Sequence, residues 1–166
     1  RASCLIGGGG GLNTVRTAIQ GALRCGRYGV GVRLEVAASC AEYSRSDSDM
    51  MYDSMVNTHY RFLGCLEYDR IGEFQGDDHM ALRSQGQLSD VSCLISRECF
   101  MRYRYQGDYA EDLDLGIRLI KDGYRVAMLA SVKVIHSHNR PAYYYLKRTF
   151  VDVIFLVGLF KDFTYP

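Results

Sequence analysis

Carboxylates and histidines are concentrated in one stretch of the sequence, residues 107–141, GDYAEDLDLGIRLIKDGYRVAMLASVKVIHSHNRP. The chemically versatile side chains in it are Asp108, Glu111, Asp112, Asp114, His136 and His138. A carboxylate can accept a proton from a substrate hydroxyl group. Carboxylates and imidazoles together can hold a divalent cation. The stretch therefore indicates proton transfer, a metal site, or both.

The acidic residues open a predicted helix. Asp108 and Glu111 have the spacing of a capping box, and Gly123 is expected to end the helix. The apolar residues that repeat on one face between them are Leu113, Ile117 and Ile120. The helix dipole alone favours acids at this end. Four acids nevertheless exceed the one or two amides that side chains can cap, so some of this charge is expected to have another partner.

A strand is predicted from Tyr124 onward, because the pattern changes there to period two. This alternation puts Val132, Val134, His136 and His138 on one face. A histidine at a strand end is more often a hydrogen-bonded structural residue than a ligand. A same-face pair near an acidic helix start favours a site.

Composition limits the classes of protein that fit. The chain has 166 residues with 48% hydrophobic content, which predicts one globular domain. Twenty Lys and Arg balance nineteen Asp and Glu, so no overall charge favours nucleic acid as a partner. The six cysteines lack the Cys-x-x-Cys spacing of a zinc site, and no signal peptide is recognised. They are expected to be reduced, mostly buried thiols of a cytoplasmic protein, with peripheral membrane contact left open.

Other elements follow from local patterns. The N-terminal glycine run, residues 7–11, is either a flexible connection or a phosphate-binding loop before a helix. VRLEVAASCAEY and DVSCLIS are predicted strands, and RECFMRY is a predicted short helix. Residues 64–90 are predicted to be irregular, with a short helix at residues 80–85. Residues 46–63 are predicted to form a helix with an apolar face of Met51, Met55, Thr58 and Phe62.

The C-terminal segment AYYYLKRTFVDVIFLVGLFKDFTYP predicts an amphipathic or packing helix. Its apolar run, residues 151–160, is shorter than the roughly 20 residues that a bilayer span requires. Arg140, Lys147 and Arg148 lie at its start, where a solvated basic face is one explanation.

Residues 91–148, and above all GDYAEDLDLGIRLIKDGYR followed by VIHSHNRP, resemble the acceptor-binding half of the family 2 glycosyltransferases. With SDSDMMYDSMVNTHYRFLG, which is similar to a helical stretch of the same enzymes, the resemblance covers roughly residues 36–150. It implies an α/β fold, a GT-A-like, Rossmann-related mixed sheet flanked by helices, here incomplete. It also divides the single domain into a donor-half remnant (1–35), an acceptor-binding half (36–140) and a C-terminal apolar and basic helix (141–166).

The resemblance also implies roles for particular residues. Asp112 would be the general base beside Glu111, and the metal ligand would be His136, or alternatively His138. The residues implied to bind substrate are Asp114, Arg140, Arg148 and Tyr109, and the tyrosines that could stack on an acceptor sugar are Tyr103, Tyr105 and Tyr109. The reaction would transfer a sugar from a nucleotide diphosphate sugar, with inversion, to a saccharide or lipid-linked acceptor. Mn²⁺ or Mg²⁺ would be the cofactor, and the basic residues would face donor phosphates or an anionic membrane.

One departure from the family concerns the donor site. Its Asp-x-Asp is missing where it is expected, since VGVRLEVAAS offers only Glu35. Asp47 and Asp49 have the right spacing but lie at a predicted helix start, where N-capping explains them. The chain is therefore expected to bind nucleotide sugar weakly. Two alternatives stay open, a non-catalytic acceptor-binding or assembly module and a metal-dependent hydrolase.

Overall fold

The structure is a computed structural model that describes residues 37–43, 50–136 and 140–163. Within these ranges the protein is a mixed α/β structure with one four-stranded sheet and five α-helices, so the predicted α/β class is confirmed. Some predictions lie outside the described residues. They are the segment 1–35 with its glycine run, the pair Asp47 and Asp49, and His138.

The described residues form five α-helices, four strands and one 3-10 turn. In order they are β1 (Ala37–Tyr43), α1 (Met50–Leu63), β2 (Arg70–Gly72), α2 (His79–Gly86), a 3-10 turn (Asp90–Ser92), β3 (Cys93–Ile95), α3 (Arg97–Tyr103), α4 (Glu111–Lys121), β4 (Val126–Ile135) and α5 (Ala142–Leu159). The predicted helices at α1, α2, α3, α4 and α5 and the predicted strands at β1, β3 and β4 are therefore confirmed within the described residues. Strand β2 falls in the stretch predicted to be irregular, because three residues are too few to reveal an alternating pattern.

The sheet has the strand order β2-β4-β1-β3, with β4 parallel to β1 and the other two pairs antiparallel. The β1–β4 register shifts in the middle. Cys40 pairs with Leu129, but the next residue of β1, Ala41, pairs with Lys133. Asp69 holds the resulting bulge, since its carboxylate accepts hydrogen bonds from the Ser131 amide (2.7 Å) and hydroxyl (2.8 Å).

The core consists of two hydrophobic clusters. The larger joins α4 to α2, α3 and β3, and the smaller joins α1 to the middle of β4 and the start of α5. Helix α4 contributes the fully buried Leu115, Leu119 and Ile120 to the larger cluster. Three of the cysteines, Cys65, Cys93 and Cys99, are buried and form no disulfide bond.

Helix α1 buries a different face from the one predicted. Its buried residues are Tyr52, Val56, Tyr60 and Leu63, whereas Met51 and Met55 are exposed. The prediction followed the methionine spacing and was wrong. The two tyrosine rings bury more apolar area than methionine and threonine side chains at the same spacing, and they determine which face turns inward.

Helices α2 and α4 touch backbone to backbone at two glycines. A methyl group on Gly116 would overlap the Gly86 carbonyl group, and one on Gly86 would lie 2.9 Å from the Ile117 amide nitrogen. Leu88, just after α2, packs against the same point. Only glycine permits this approach, which accounts for a glycine in the middle of α4.

We expect Gly116→Ala to lower the free energy of unfolding by at least about 2 kcal/mol, because the added methyl group must separate α2 from α4. Gly158→Ala is the matched control, since Gly158 is also helical but has open space around its Cα. It should be neutral or stabilising by up to about 1 kcal/mol. Chemical denaturation measures both, and equal effects of the two substitutions would contradict the close contact.

No described helix is both long and apolar enough to cross a membrane. The longest, α5, instead packs on the body of the protein. Tyr145 joins the smaller cluster, while Phe155, Leu156 and Leu159 contact the larger one.

Candidate active site

Helix α4 begins at Glu111. The prediction of its N-terminal cap was wrong, whereas the prediction of its C-terminal end was right. The N-cap is Ala110, in a left-handed conformation (φ 47°, ψ 34°) without a capping side chain. The predicted Asp108–Glu111 capping box is therefore wrong, because Asp108 lies two residues before the capping position. The predicted end at Gly123 is confirmed. Gly123 has φ +81°, and its amide and that of Tyr124 donate to α4 carbonyls in a Schellman motif.

Asp112, in the first turn of α4, has a half-buried carboxylate held by two backbone amides. Its Oδ1 accepts a hydrogen bond from the Leu113 amide (2.8 Å), and its Oδ2 accepts one from the Asp90 amide (3.3 Å). Burial raises the pKa of Asp112 to about 6, and the negative charges of Asp90 and Glu111 act in the same direction. The two amides act against this rise. A carboxylate with this pKa is ionised at neutral pH and readily accepts a proton.

Asp90, Glu111 and Asp112 form what we call the acidic cluster, and Tyr105 lies beside it. Burial raises the pKa of the Tyr105 phenol, and the cluster carboxylates raise it further. The phenol therefore stays protonated at neutral pH and can donate a hydrogen bond. The Tyr105 ring also meets Phe100 edge to face, with 5.4 Å between the ring centroids. The site thus combines a proton acceptor, a hydroxyl donor and an aromatic surface.

The fold puts the acidic cluster toward the carboxyl end of the parallel strand pair. Strand β3 runs antiparallel to β1, and Cys93 at its start pairs with Ser39. The 3-10 turn that precedes β3 contains Asp90 and contacts β1. Residues before an antiparallel strand extend toward its neighbour's carboxyl end. In open α/β sheets this is the edge where ligands bind.

Asp114, predicted to bind substrate, is engaged within the protein. Its carboxylate accepts a hydrogen bond from Arg118 Nε (2.8 Å), one turn later in α4. The same guanidinium donates to the carbonyls of Tyr103 and Arg104 at the end of α3, both at 2.8 Å. This arrangement ties α3 to α4 and gives Asp114 a structural role.

The structure brings Tyr109 and Arg148, two residues predicted to bind substrate, together around Asp152. The Tyr109 hydroxyl donates to Asp152, the Arg148 guanidinium lies 4.9 Å from the centroid of the Tyr109 ring, and Arg148 Nε is 3.5 Å from Asp152. Burial and the hydrogen bond to Asp152 raise the pKa of Tyr109. Sequence reasoning missed Asp152, although its spacing from Arg148 is that of an ion pair on one helix.

His136 lies directly after β4, at the carboxyl end of the parallel pair, rather than within the strand as predicted. Ile135 pairs there with Tyr43, the last residue of β1. The half-buried imidazole lies against Tyr52, with 6.4 Å between the ring centroids. Arg140 is exposed, and its guanidinium lies 5.6 Å from the Tyr144 ring centroid.

The described part of the chain contains no complete ligand set for the divalent cation that the resemblance implies. No three His, Cys, Asp or Glu side chains there are grouped so that they could hold a metal ion. His136 is the described residue predicted as a ligand, and it neighbours Tyr52. The metal site stays a prediction of the resemblance, since His138, the alternative ligand, lies outside the described residues.

The chain was compared with protein-family models, curated proteins and solved structures, and none matches it.

The free energy of unfolding should depend on pH because Asp112 is half-buried. Ionised Asp112 destabilises the folded state, because its pKa is raised from 3.8 to about 6. Below about pH 4, Asp112 is protonated in both the folded and the unfolded state, and its burial costs no stability. As the pH rises from there through about 6, the carboxyl group ionises and the free energy of unfolding falls. The full pKa shift corresponds to about 3 kcal/mol, and solvent screening of a half-buried group reduces it. Asp112→Asn should therefore raise the free energy of unfolding by about 1–2 kcal/mol above that pH and by little below about pH 4.

Urea denaturation across the pH range measures this difference. Asp53→Asn is the matched control, since Asp53 is an exposed acid in the first turn of another helix. It should give no such gain. A pH-independent effect of Asp112→Asn would show that the carboxylate is not destabilised by burial.

Proposed function

We propose that the chain contains the acceptor side of an inverting glycosyltransferase similar to family 2, with Asp112 as the general base. The observation that carries the proposal is the half-buried carboxylate of Asp112, whose pKa burial raises to about 6. It lies in the first turn of α4, beside Tyr105 and toward the ligand-binding edge of the sheet. Perturbed carboxylates in such positions are concentrated at catalytic sites.

The proposed step is proton transfer from an acceptor hydroxyl group. The backbone amides occupy one lone pair on each Asp112 oxygen and orient the carboxylate, and further lone pairs can accept the substrate proton. The hydroxyl oxygen attacks the anomeric carbon of the donor sugar as its proton passes to Asp112. The nucleoside diphosphate leaves from the opposite face, which inverts the anomeric centre. Such a base typically contributes about 10²–10⁴-fold to the rate.

The surrounding residues suggest how the acceptor would be held. The Tyr105 ring offers an apolar face to a sugar, and its protonated hydroxyl offers a donor beside the acidic cluster. Glu111 would keep the pKa of Asp112 raised rather than act on the substrate. The domain would have a GT-A-like arrangement. Two features support it: β1 and β4 are parallel, and α4 leads directly into β4.

The donor would be a nucleotide diphosphate sugar, with the exposed Arg140 as a cationic residue available to its phosphates. Arg148 would join it by exchanging its contact with Asp152 for one with a phosphate group. A divalent cation, if His136 or His138 helps to hold it, would neutralise charge on the departing diphosphate. A saccharide or a lipid-linked sugar would be the acceptor.

A non-catalytic acceptor-binding module is the second candidate, and one observation favours it. Tyr109, Asp114 and Arg148 are all engaged in contacts within the protein. In such a module Asp112 would serve no proton transfer, and Asp112→Asn would leave the biological role intact.

The pH dependence of sugar transfer distinguishes these candidates. We expect kcat/KM to fall as the pH drops below about 6, where Asp112 becomes protonated. Asp112→Asn should lower kcat by about 10²–10⁴-fold and leave the affinity for the donor unchanged, because the base acts on the acceptor proton. Release of nucleoside diphosphate is measured with the protein that the whole open reading frame encodes, a panel of nucleotide sugars and saccharide acceptors.

Asp53→Asn again serves as the control and should retain transfer with the same acidic limb. Turnover of Asp112→Asn at the unsubstituted rate would rule out the general base. Loss of donor affinity in the same variant would instead assign Asp112 to donor binding.

A further inference from the structure

Helix α5 exposes a long apolar stripe. Its residues, each between 50% and 67% exposed, are Tyr143, Leu146, Phe150, Ile154 and Val157. Their spacing of three and four residues aligns them on one side of the helix over about 21 Å. Contiguous apolar surface of this kind marks a binding site more often than scattered exposed residues do.

The opposite side of α5 is fixed to the protein. Tyr145 is buried in the smaller cluster, and Phe155, Leu156 and Leu159 pack against the larger one. Phe160, just beyond the helix, is also buried. The helix therefore lies flat on the body of the protein with its stripe directed outward.

Among the described charged residues of α5 and its flanks, those that border the stripe are basic. Lys147 lies at its edge, with Nζ 4.9 Å from the Tyr143 ring centroid, and Arg140 lies near its N-terminal end. The one acid within α5, Asp152, is bound by Tyr109 and Arg148 on the far side of the helix. Asp162, beyond the helix, accepts hydrogen bonds from the His79 amide (2.9 Å) and the imidazole Nδ1 (3.0 Å). The exposed face thus presents apolar and cationic groups.

We propose that this stripe docks on the surface of an anionic lipid bilayer, with α5 parallel to the membrane plane. An apolar face bordered by lysine, arginine and tyrosine is the pattern of an interfacial helix. The apolar side chains would enter the boundary between headgroups and acyl chains. Lys147 would reach the lipid phosphates, and Tyr143 would lie at headgroup level.

A second copy of the chain fits this surface less well. In a parallel pair of α5 helices, Lys147 would face Lys147 of the other copy. In an antiparallel pair centred on Phe150, it would face the apolar residues around Ile154. Neither orientation gives the lysine an acidic partner, since Asp152 is already bound, and a buried unpaired charge is unfavourable. Lipid phosphates supply the missing negative charge.

Vesicle co-flotation of the full chain tests the proposal, which does not depend on the proposed enzymatic function. The vesicles are phosphatidylcholine alone and phosphatidylcholine with phosphatidylserine. We expect binding to the second kind that falls with added salt, because the basic residues contribute through charge. Phe150→Glu and Ile154→Glu should each weaken this binding by about tenfold or more, since they put a carboxylate into the apolar stripe. Lys147→Glu should abolish the preference for phosphatidylserine.

The matched control is Met55→Glu, which adds the same charge at an exposed apolar position of α1. It should bind vesicles as the unsubstituted chain does. All the substituted positions are exposed, and circular dichroism and thermal unfolding would verify the fold of each variant. Equal binding by the Met55 and Phe150 variants, or no binding to either vesicle, would overturn the proposal. So would a dimer that forms without lipid and dissociates in Phe150→Glu, because a second copy would then cover the stripe.

Discussion

The contact between Gly86 and Gly116 positions the residues on which the proposed chemistry depends. It brings the end of α2 against the middle of α4 at a distance that no other residue pair would allow. Asp112 lies one helical turn before Gly116, and Asp90 lies four residues after Gly86, beyond the buried Leu88. The contact therefore brings the Asp90 amide to the Asp112 carboxylate. It also brings the Asp90 charge close enough to raise the pKa of Asp112.

Two acids in the same helical turn have different environments. Asp114 is paired with Arg118, and this ion pair ties α3 to α4. Asp112 is half-buried between two other acids, with backbone amides as its hydrogen-bond partners. An ionised group in such a place lowers the stability of the fold, and sites of this kind are commonly functional. The contrast within one turn of α4 is the reason to assign the chemistry to Asp112 rather than to the acidic segment as a whole.

Local patterns in the sequence predicted much of the secondary structure but not the packing. The periodicity and the terminal Gly123 identified α4, and RECFMRY gave α3 with its observed ends. Asp112 was predicted as the base only through the resemblance, and its pairing with the Asp90 amide was not predicted. That pairing joins residues 22 positions apart and depends on the glycine contact, which leaves no periodic signal. The predicted Asp108 cap was wrong because Ala110 has a left-handed conformation, which periodicity does not reveal. The helix therefore starts at Glu111, too far from Asp108 for its side chain to cap it.

The proposed chemistry requires that the Asp112 carboxylate accept protons near neutral pH. Carbon-detected NMR of the aspartate carboxyl groups, followed through a pH titration and assigned with Asp112→Asn, measures its pKa directly. Burial of the carboxyl group should give a midpoint of about 6, well above that of an exposed aspartate. A midpoint near 4 would contradict it, because Asp112 would then be an ordinary solvated acid at the start of a helix.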